Sequence, residues 1–285
     1  MLWLILSAQA LAGDCPSDLD GDHHVGNSDL NVLLSDWGGR GSADLDGSGR
    51  VDGADLSLLL VDWGSCPQDD WRCGDLMIDD RDDHAYETRL YGTICWMTEN
   101  LDHGEQVDGS VPGSLATDDG VIQKFCFDDD AAACESDGAL YSWEEATAFE
   151  GSSTSAPSDI QGACPTGWHL PSDAEYLALE RTLGMRERDV QAFEAWRGSP
   201  IGTDMKVGGA SGFEGILVGW RDAATGTYKN HGFYAGYWTA TEALELPGEA
   251  VDRGLLDPKS TVGRFAYDLE AGLSVRCVSD TVEDD

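Results

Sequence analysis

The chain has 285 residues, with 54 acidic against 17 basic and a formal charge of −37. A field of that sign excludes nucleic acid and anionic membrane as partners, and the length predicts two or three domains. Beyond the first dozen residues no apolar run approaches the roughly 18 that read as a membrane span, so no transmembrane segment is expected. Eight cysteines, an even number, predict disulfides in an oxidising compartment.

Residues 1–12 read as a secretory signal peptide: the apolar run Leu2–Leu6 is followed by Ala8, Ala10 and Ala12, with cleavage near 10–13. A basic n-region is missing, and an ordinary buried strand is the alternative. The expected product is secreted, extracellular or attached to a cell surface.

Residues 13–66 say the same thing twice. Asp18-Leu-Asp20-Gly-Asp22 and Asp44-Leu-Asp46-Gly-Ser48 begin two loops 26 residues apart, and each copy ends in Asp-Trp-Gly at Trp37 and Trp63. A fixed period identifies a structural unit before any propensity argument. Oxygen ligands at loop positions 1, 3, 5 and 12, with a backbone carbonyl at 7, are the spacing by which a chain wraps calcium. The first set is Asp18, Asp20, Asp22, the carbonyl of His24, and Asp29, with water at Gly26. The second is Asp44, Asp46, Ser48, the carbonyl of Arg50, Asp52 and Asp55. Two Ca2+ ions are therefore expected. Val25 and Val51 stand where the two loops can pair through a short strand.

Leu30, Leu33, Leu34 and Trp37 fall on one helical face, and Leu56, Leu59, Leu60 and Trp63 repeat the stripe. The core is small, and eleven acidic against two basic residues over 14–66 repel one another without metal. Pairing Cys15 with Cys66 would close a loop worth about 4 kcal/mol in the chain-entropy model.

A duplicated calcium loop with only its exiting helix resembles a type I dockerin domain. Position 12 is Asp rather than Glu, and His23 stands where glycine is usual, so the first site is expected to be the looser. The resemblance implies a cohesin-like or cell-surface protein partner reached near Asn27-Ser28 and Gly53-Ala54. Those two pairs differ, which argues against a symmetric two-way interaction.

Residues 67–72 form a linker, 73–280 a second domain and 281–285 an acidic tail. Asp79 to Leu101 reads as a hairpin, with Tyr86, Leu90, Ile94 and Trp96 as its apolar faces. Ser172 with Glu175 three residues on is a capping box, and Tyr176, Leu179 and Leu183 follow on one face before Gly184. Trp143 to Phe149 predicts a second, shorter helix, and strands and long loops follow Ser199.

The segments Cys95-Trp-Met-Thr-Glu-Asn100-Leu, Gly138-Ala-Leu-Tyr-Ser-Trp143, Cys164-Pro-Thr-Gly-Trp168-His-Leu-Pro, Gly236-Tyr-Trp238-Thr-Ala-Thr and Ser274-Val-Arg-Cys277-Val, in this order, resemble the Fibrobacter succinogenes major paralogous domain. That resemblance implies a secreted bacterial protein without established enzymatic activity. It also implies an α+β fold distantly like the C-type lectins. The expected architecture is thus multidomain, a small all-α calcium-loop (EF-hand-like) domain plus a larger, disulfide-bonded α+β domain. Under that reading the simplest pairing is Cys73–Cys95, Cys126–Cys134 and Cys164–Cys277, although sequence leaves connectivity open.

No nucleophile elbow, zinc helix or phosphate loop is present, and no enzyme activity is expected. His169 beside Trp168 is assigned a packed or hydrogen-bonded role. Glu144 and Glu145, adjacent and helical, face apart and make a poor glycosidase pair. Asp128, Asp129, Asp130 and Glu135 read as a solvated loop before they read as a further calcium site. Trp238-Thr-Ala-Thr-Glu242 lacks the calcium ligands of a lectin sugar site, whereas Tyr234, Tyr237 or Trp220 could stack on a glycan. The alternative function is a carbohydrate-binding accessory protein of a polysaccharide-degrading assembly. A formylglycine-generating-type enzyme is a third reading, against which the even cysteine set counts.

Overall fold

The computed structural model describes residues 15–20, 24–65, 71–113 and 116–282. The chain divides into two compact units, Met1–Arg72 and Cys73–Asp285. The expected signal peptide, Asp22, His23, Cys66, most of the expected linker and the end of the acidic tail lie outside the described residues.

In the small unit, β1 (His24–Val25) leads into α1 (Asn27–Ser35), and α2 (Gly53–Val61) leads into β2 (Gly64–Ser65). Both helices start where a loop carboxylate accepts backbone N–H groups. Asp52 caps α2 by accepting from Ala54 N at 2.9 Å. Val25 and Val51 are fully buried in one apolar cluster with Leu33, Ala43 and Leu59, but they do not pair with each other as expected. Val25 lies opposite Gly64, while Val51 accepts from Gly38 N and donates to Gly39 O. Each loop is stitched to the turn that ends the other helix. Gly38 and Gly64 have φ of +80° and +120°, a reversal that a residue with Cβ resists.

The apolar stripes are only half used. Leu33 and Leu59 are buried, but Leu34, Trp37, Leu60 and Trp63 are exposed. Two helices of nine residues bury one ridge of side chains against each other, and among the described residues no third layer covers the rest. Cys15 is disulfide-bonded; its expected partner, Cys66, is outside the described residues.

The large unit is a mixed α/β, sheet-rich fold. Its first half contains β3 (Met77–Asp79), β4 (His84–Tyr86), β5 (Thr88–Tyr91), β6 (Ile94–Met97), β7 (Glu105–Gln106) and β8 (Gln123–Lys124). Then come α3 (Ala131–Asp137), β9 (Leu140–Tyr141), α4 (Trp143–Ala146), β10 (Trp168–His169) and α5 (Asp173–Thr182). Its second half contains α6 (Glu187–Val190), β11 (Ala195–Arg197), α7 (Ile201–Asp204), β12 (Trp220–Asp222), β13 (Thr227–Lys229), β14 (Tyr234–Glu242), β15 (Glu249–Leu256), β16 (Val262–Asp268), β17 (Leu273–Ser274) and β18 (Val278–Val282). The expected single hairpin over 79–101 is two, β3–β4 and β5–β6, and Leu90 faces solvent.

One sheet has the order β10-β18-β6-β5 and the other β11-β16-β15-β14-β17-β9. Within the second, β14 and β17 run parallel. One apolar cluster joins both sheets to α5: Trp96 and Val278 from the first, Tyr176 and Leu179 from α5, Tyr237 and Leu255 from the second. The capping box at Ser172 and Glu175 forms as expected. The helix after Trp143 is shorter than expected, because Ala148 and Phe149 take φ of 49° and 60° and leave the helical region. Disulfides Cys73–Cys95, Cys126–Cys134 and Cys164–Cys277 tie the unit together.

The core carries charge. Arg253, fully buried, donates to Glu180 at 2.9 Å and to Asp173 at 2.8 Å, and Arg197 reaches Glu180 at 2.7 Å. Arg276, also fully buried, donates to Asn100 Oδ1 at 2.8 Å and to the carbonyls of Met97, Phe213 and Glu214. None of its acceptors is a carboxylate. The rings of Phe213 and Tyr237 lie against its guanidinium.

Candidate functional site

The loop carboxylates converge in both repeats. Ligand oxygens of Asp18, Asp20 and Asp29 lie within 4.8 Å of one another, as do those of Asp44, Asp46 and Asp55. The closing residues, Asp29 and Asp55, are fully buried. Asp29 Oδ1 accepts from Leu19 N at 2.6 Å and Asp20 N at 3.2 Å, and its Oδ2 accepts from Gly26 N at 2.8 Å. Asp55 repeats the pattern, accepting from Asp46 N at 3.1 Å and Asp52 N at 2.7 Å. The backbone N–H of Asp52, aided by those of Asp46 and Leu45, holds the Asp55 carboxyl below its usual range against the opposing effect of burial.

The other predicted ligands are placed differently. Asp44 Oδ2 accepts from Gly49 N at 2.7 Å and so folds the loop around itself. Its Oδ1 is buried and has no hydrogen-bond partner. Asp46 Oδ1 accepts from Ser48 N at 2.9 Å, and Ser48 Oγ donates to the carbonyl of Arg50 at 3.2 Å. Asp52 caps α2 and is not among the converging carboxylates. The carbonyl of His24 belongs to the β1 strand. A concave set of carboxylates with a buried, unpartnered oxygen fits a hard cation that takes oxygen ligands.

In the large unit a third group, Asp79, Asp82 and His103, converges as closely. Its charge is already met: Arg81 binds both oxygens of Asp79 at 2.8 and 2.6 Å, and His103 Nδ1 lies 2.8 Å from Asp82. The acidic run after Cys126 does not converge. Asp129 accepts from Gly109 N and the Tyr228 hydroxyl, and Asp130 caps α3. His169 is 2 % exposed and sits 2.8 Å from Glu175 Oε1, while Glu175 Oε2 accepts from Ser158 N and Ser172 N. Glu145 accepts from Thr117 N and Gln123 N. These carboxylates hold the backbone. Of the three aromatic candidates for stacking, Tyr237 is fully buried, whereas Tyr234 and Trp220 are half-buried. Sequence reasoning missed Asp252, buried in β15 with its Oδ1 unpartnered and its carboxyl pushed up to about 7 by burial. An isolated Asp in a strand buried on both faces carries no sequence signal of that environment.

Among the described residues no helix is long and apolar enough to cross a membrane. The family model described as the Fibrobacter succinogenes major domain matches residues 90–279. No curated protein and no solved structure matches the chain.

Proposed function

Because the chain belongs to the Fibrobacter succinogenes major domain family, we propose that it is a secreted, non-catalytic protein whose large unit is a binding domain and whose small unit is a calcium-dependent, dockerin-like attachment module. The observation that carries the calcium reading is Asp44 Oδ1, buried without a partner among converging carboxylates. Asp18, Asp20, Asp22, the His24 carbonyl and Asp29 would hold one ion, and Asp44, Asp46, Ser48, the Arg50 carbonyl and Asp55 the other. Bound calcium would supply the positive charge that offsets their repulsion. Calorimetric titration of calcium into the chelator-stripped protein, with circular dichroism in parallel, should give two sites and a gain of helix. No binding at millimolar calcium, the weak end of the range for extracellular modules, would refute it.

Exposed Leu34, Trp37, Leu60 and Trp63 support attachment to a protein partner, cohesin-like or on a cell surface. The placement of Glu145, His169 and Glu175 in backbone-holding hydrogen bonds supports a non-catalytic large unit. The disulfide joining Cys164, ahead of α5, to Cys277, ahead of β18, supports a lectin-like arrangement. A second reading, glycan binding within a polysaccharide-degrading assembly, is favoured by exposed Phe233 beside half-buried Tyr234. Glycan-array binding with and without chelator separates the two.

A further inference from the structure

An open cleft of about 320 Å³ in the large unit is walled on one side by Trp220 and Tyr267, with the small side chains of Ala223 and Ala271 also in its lining. The two rings meet edge to face, with centroids 5.4 Å apart and planes at 81°. Asp222, Glu249 and Asp268 complete the lining.

The charge pattern around those rings is unbalanced. Glu249 and Asp268 stand directly opposite each other where β15 pairs with β16, and like charges in that position destabilise a sheet. Neither has a cationic partner among the described residues. Burial raises the pKa of nearby Glu144, and the charges of Glu270, Asp268 and Glu242 raise it further. Its Oε2 is buried without a partner. Beside the cleft, Lys229 pairs with the lining residue Asp222 and lies 5.0 Å from the centroid of the Trp220 ring. That lysine demonstrates the chemistry in place: an ammonium over an aromatic face with a carboxylate behind it.

We propose that this cleft binds an organic ammonium group, a primary amine or quaternary ammonium head on a small molecule, seated against the Trp220–Tyr267 aromatic wall and balanced by Glu249 and Asp268. A neutral ligand would leave the opposed carboxylates uncompensated, and an anion would be repelled. The carboxylates of the cleft are not among the groups that converge closely enough for a metal ion. The inference rests on the reading of the large unit as a binding domain and is independent of calcium in the small one.

The test is calorimetric titration of the full chain with choline, n-butylamine, the neutral choline isostere 3,3-dimethylbutan-1-ol, and methyl glucoside. Choline or butylamine should bind saturably, about tenfold or more tighter than the neutral isostere, as a cation–π contact backed by carboxylates predicts. Glu249→Gln should weaken ammonium binding about 3–10-fold while raising the melting temperature, because it removes one of two opposed charges. Loss of binding with Tyr267→Leu, in a variant whose circular dichroism is unchanged, would agree. Equal binding of the isostere, or no effect of Glu249→Gln, overturns the proposal. Binding of methyl glucoside instead, lost in Tyr267→Leu, overturns the ammonium assignment but leaves a binding domain. Binding of none of the four overturns the cleft as a site.

Discussion

Replacing Glu180 with Gln removes the one carboxylate that two buried arginines share. Arg197 lies 2.7 Å from Oε2 and Arg253 2.9 Å from Oε1, with all three side chains at most 3 % exposed. An amide of the same shape keeps one acceptor and turns a donor toward a guanidinium. Breaking a buried pair costs about 3–5 kcal/mol, since the charge left behind stays desolvated. Arg253 retains Asp173, so the middle of that range is expected. In a unit of this size each kcal/mol moves the melting temperature by about 2–4 °C, which gives a fall of roughly 8–16 °C in the large unit's calorimetric transition. Glu187→Gln is the control: Arg181 draws the Glu187 carboxyl down to about 2, yet the pair is exposed and solvent screens it, so the transition should hardly move. Equal shifts for the two variants would refute the claim that burial sets the cost.

The buried Asp252 carboxyl, at about 7 in the fold against 3.8 unfolded, binds a proton over that interval only when folded. Its contribution is full below the lower value and lost as pH rises through about 7, a change of about 4 kcal/mol. Asp252→Asn should therefore gain on the parent protein between pH 4 and pH 8 in melting temperature; a constant difference would count against it. Asp173 has the opposite sign. Burial works to raise its pKa, but Arg253 and Arg264 outweigh burial and lower it, so its support should be lost at acid pH and Asp173→Asn should flatten the acid limb of the profile. Asp55→Ala removes the closing carboxylate of the second loop and should abolish one of two calcium sites in titration, with unchanged stoichiometry as the contrary result. Arg276→Lys keeps the charge but not the fork that reaches Asn100 and three carbonyls. With buried acceptors left unmet it should cost about 3 kcal/mol or more in denaturant unfolding.

Much of the small unit is legible along the chain because its chemistry is local. The carboxylates that converge lie within a dozen residues of one another, so Asp18, Asp20 and Asp29 can be named from spacing, as can Asp44, Asp46 and Asp55. The capping box at Ser172 is equally local. The crossed stitching of Val25 to Gly64 and Val51 to Gly38 could not be read that way, because it depends on how the two helices lie against each other. The same holds for Asp52, whose carboxylate had two local uses and took the cap.

The large unit shows the other limit. Its cysteine pairs were reached through resemblance to a family, but its arginines look like surface residues in sequence. Arg253 meets Asp173 from 80 residues away and Arg276 meets Asn100 from 176. Burying a charge is tolerable only when distant partners arrive together, and a linear pattern does not encode which distant residues will. The cleft beside Trp220 follows the same logic. Sequence supplies an aromatic, a lysine and several acids, and tertiary structure alone sets Glu249 opposite Asp268 with no cationic partner among the described residues.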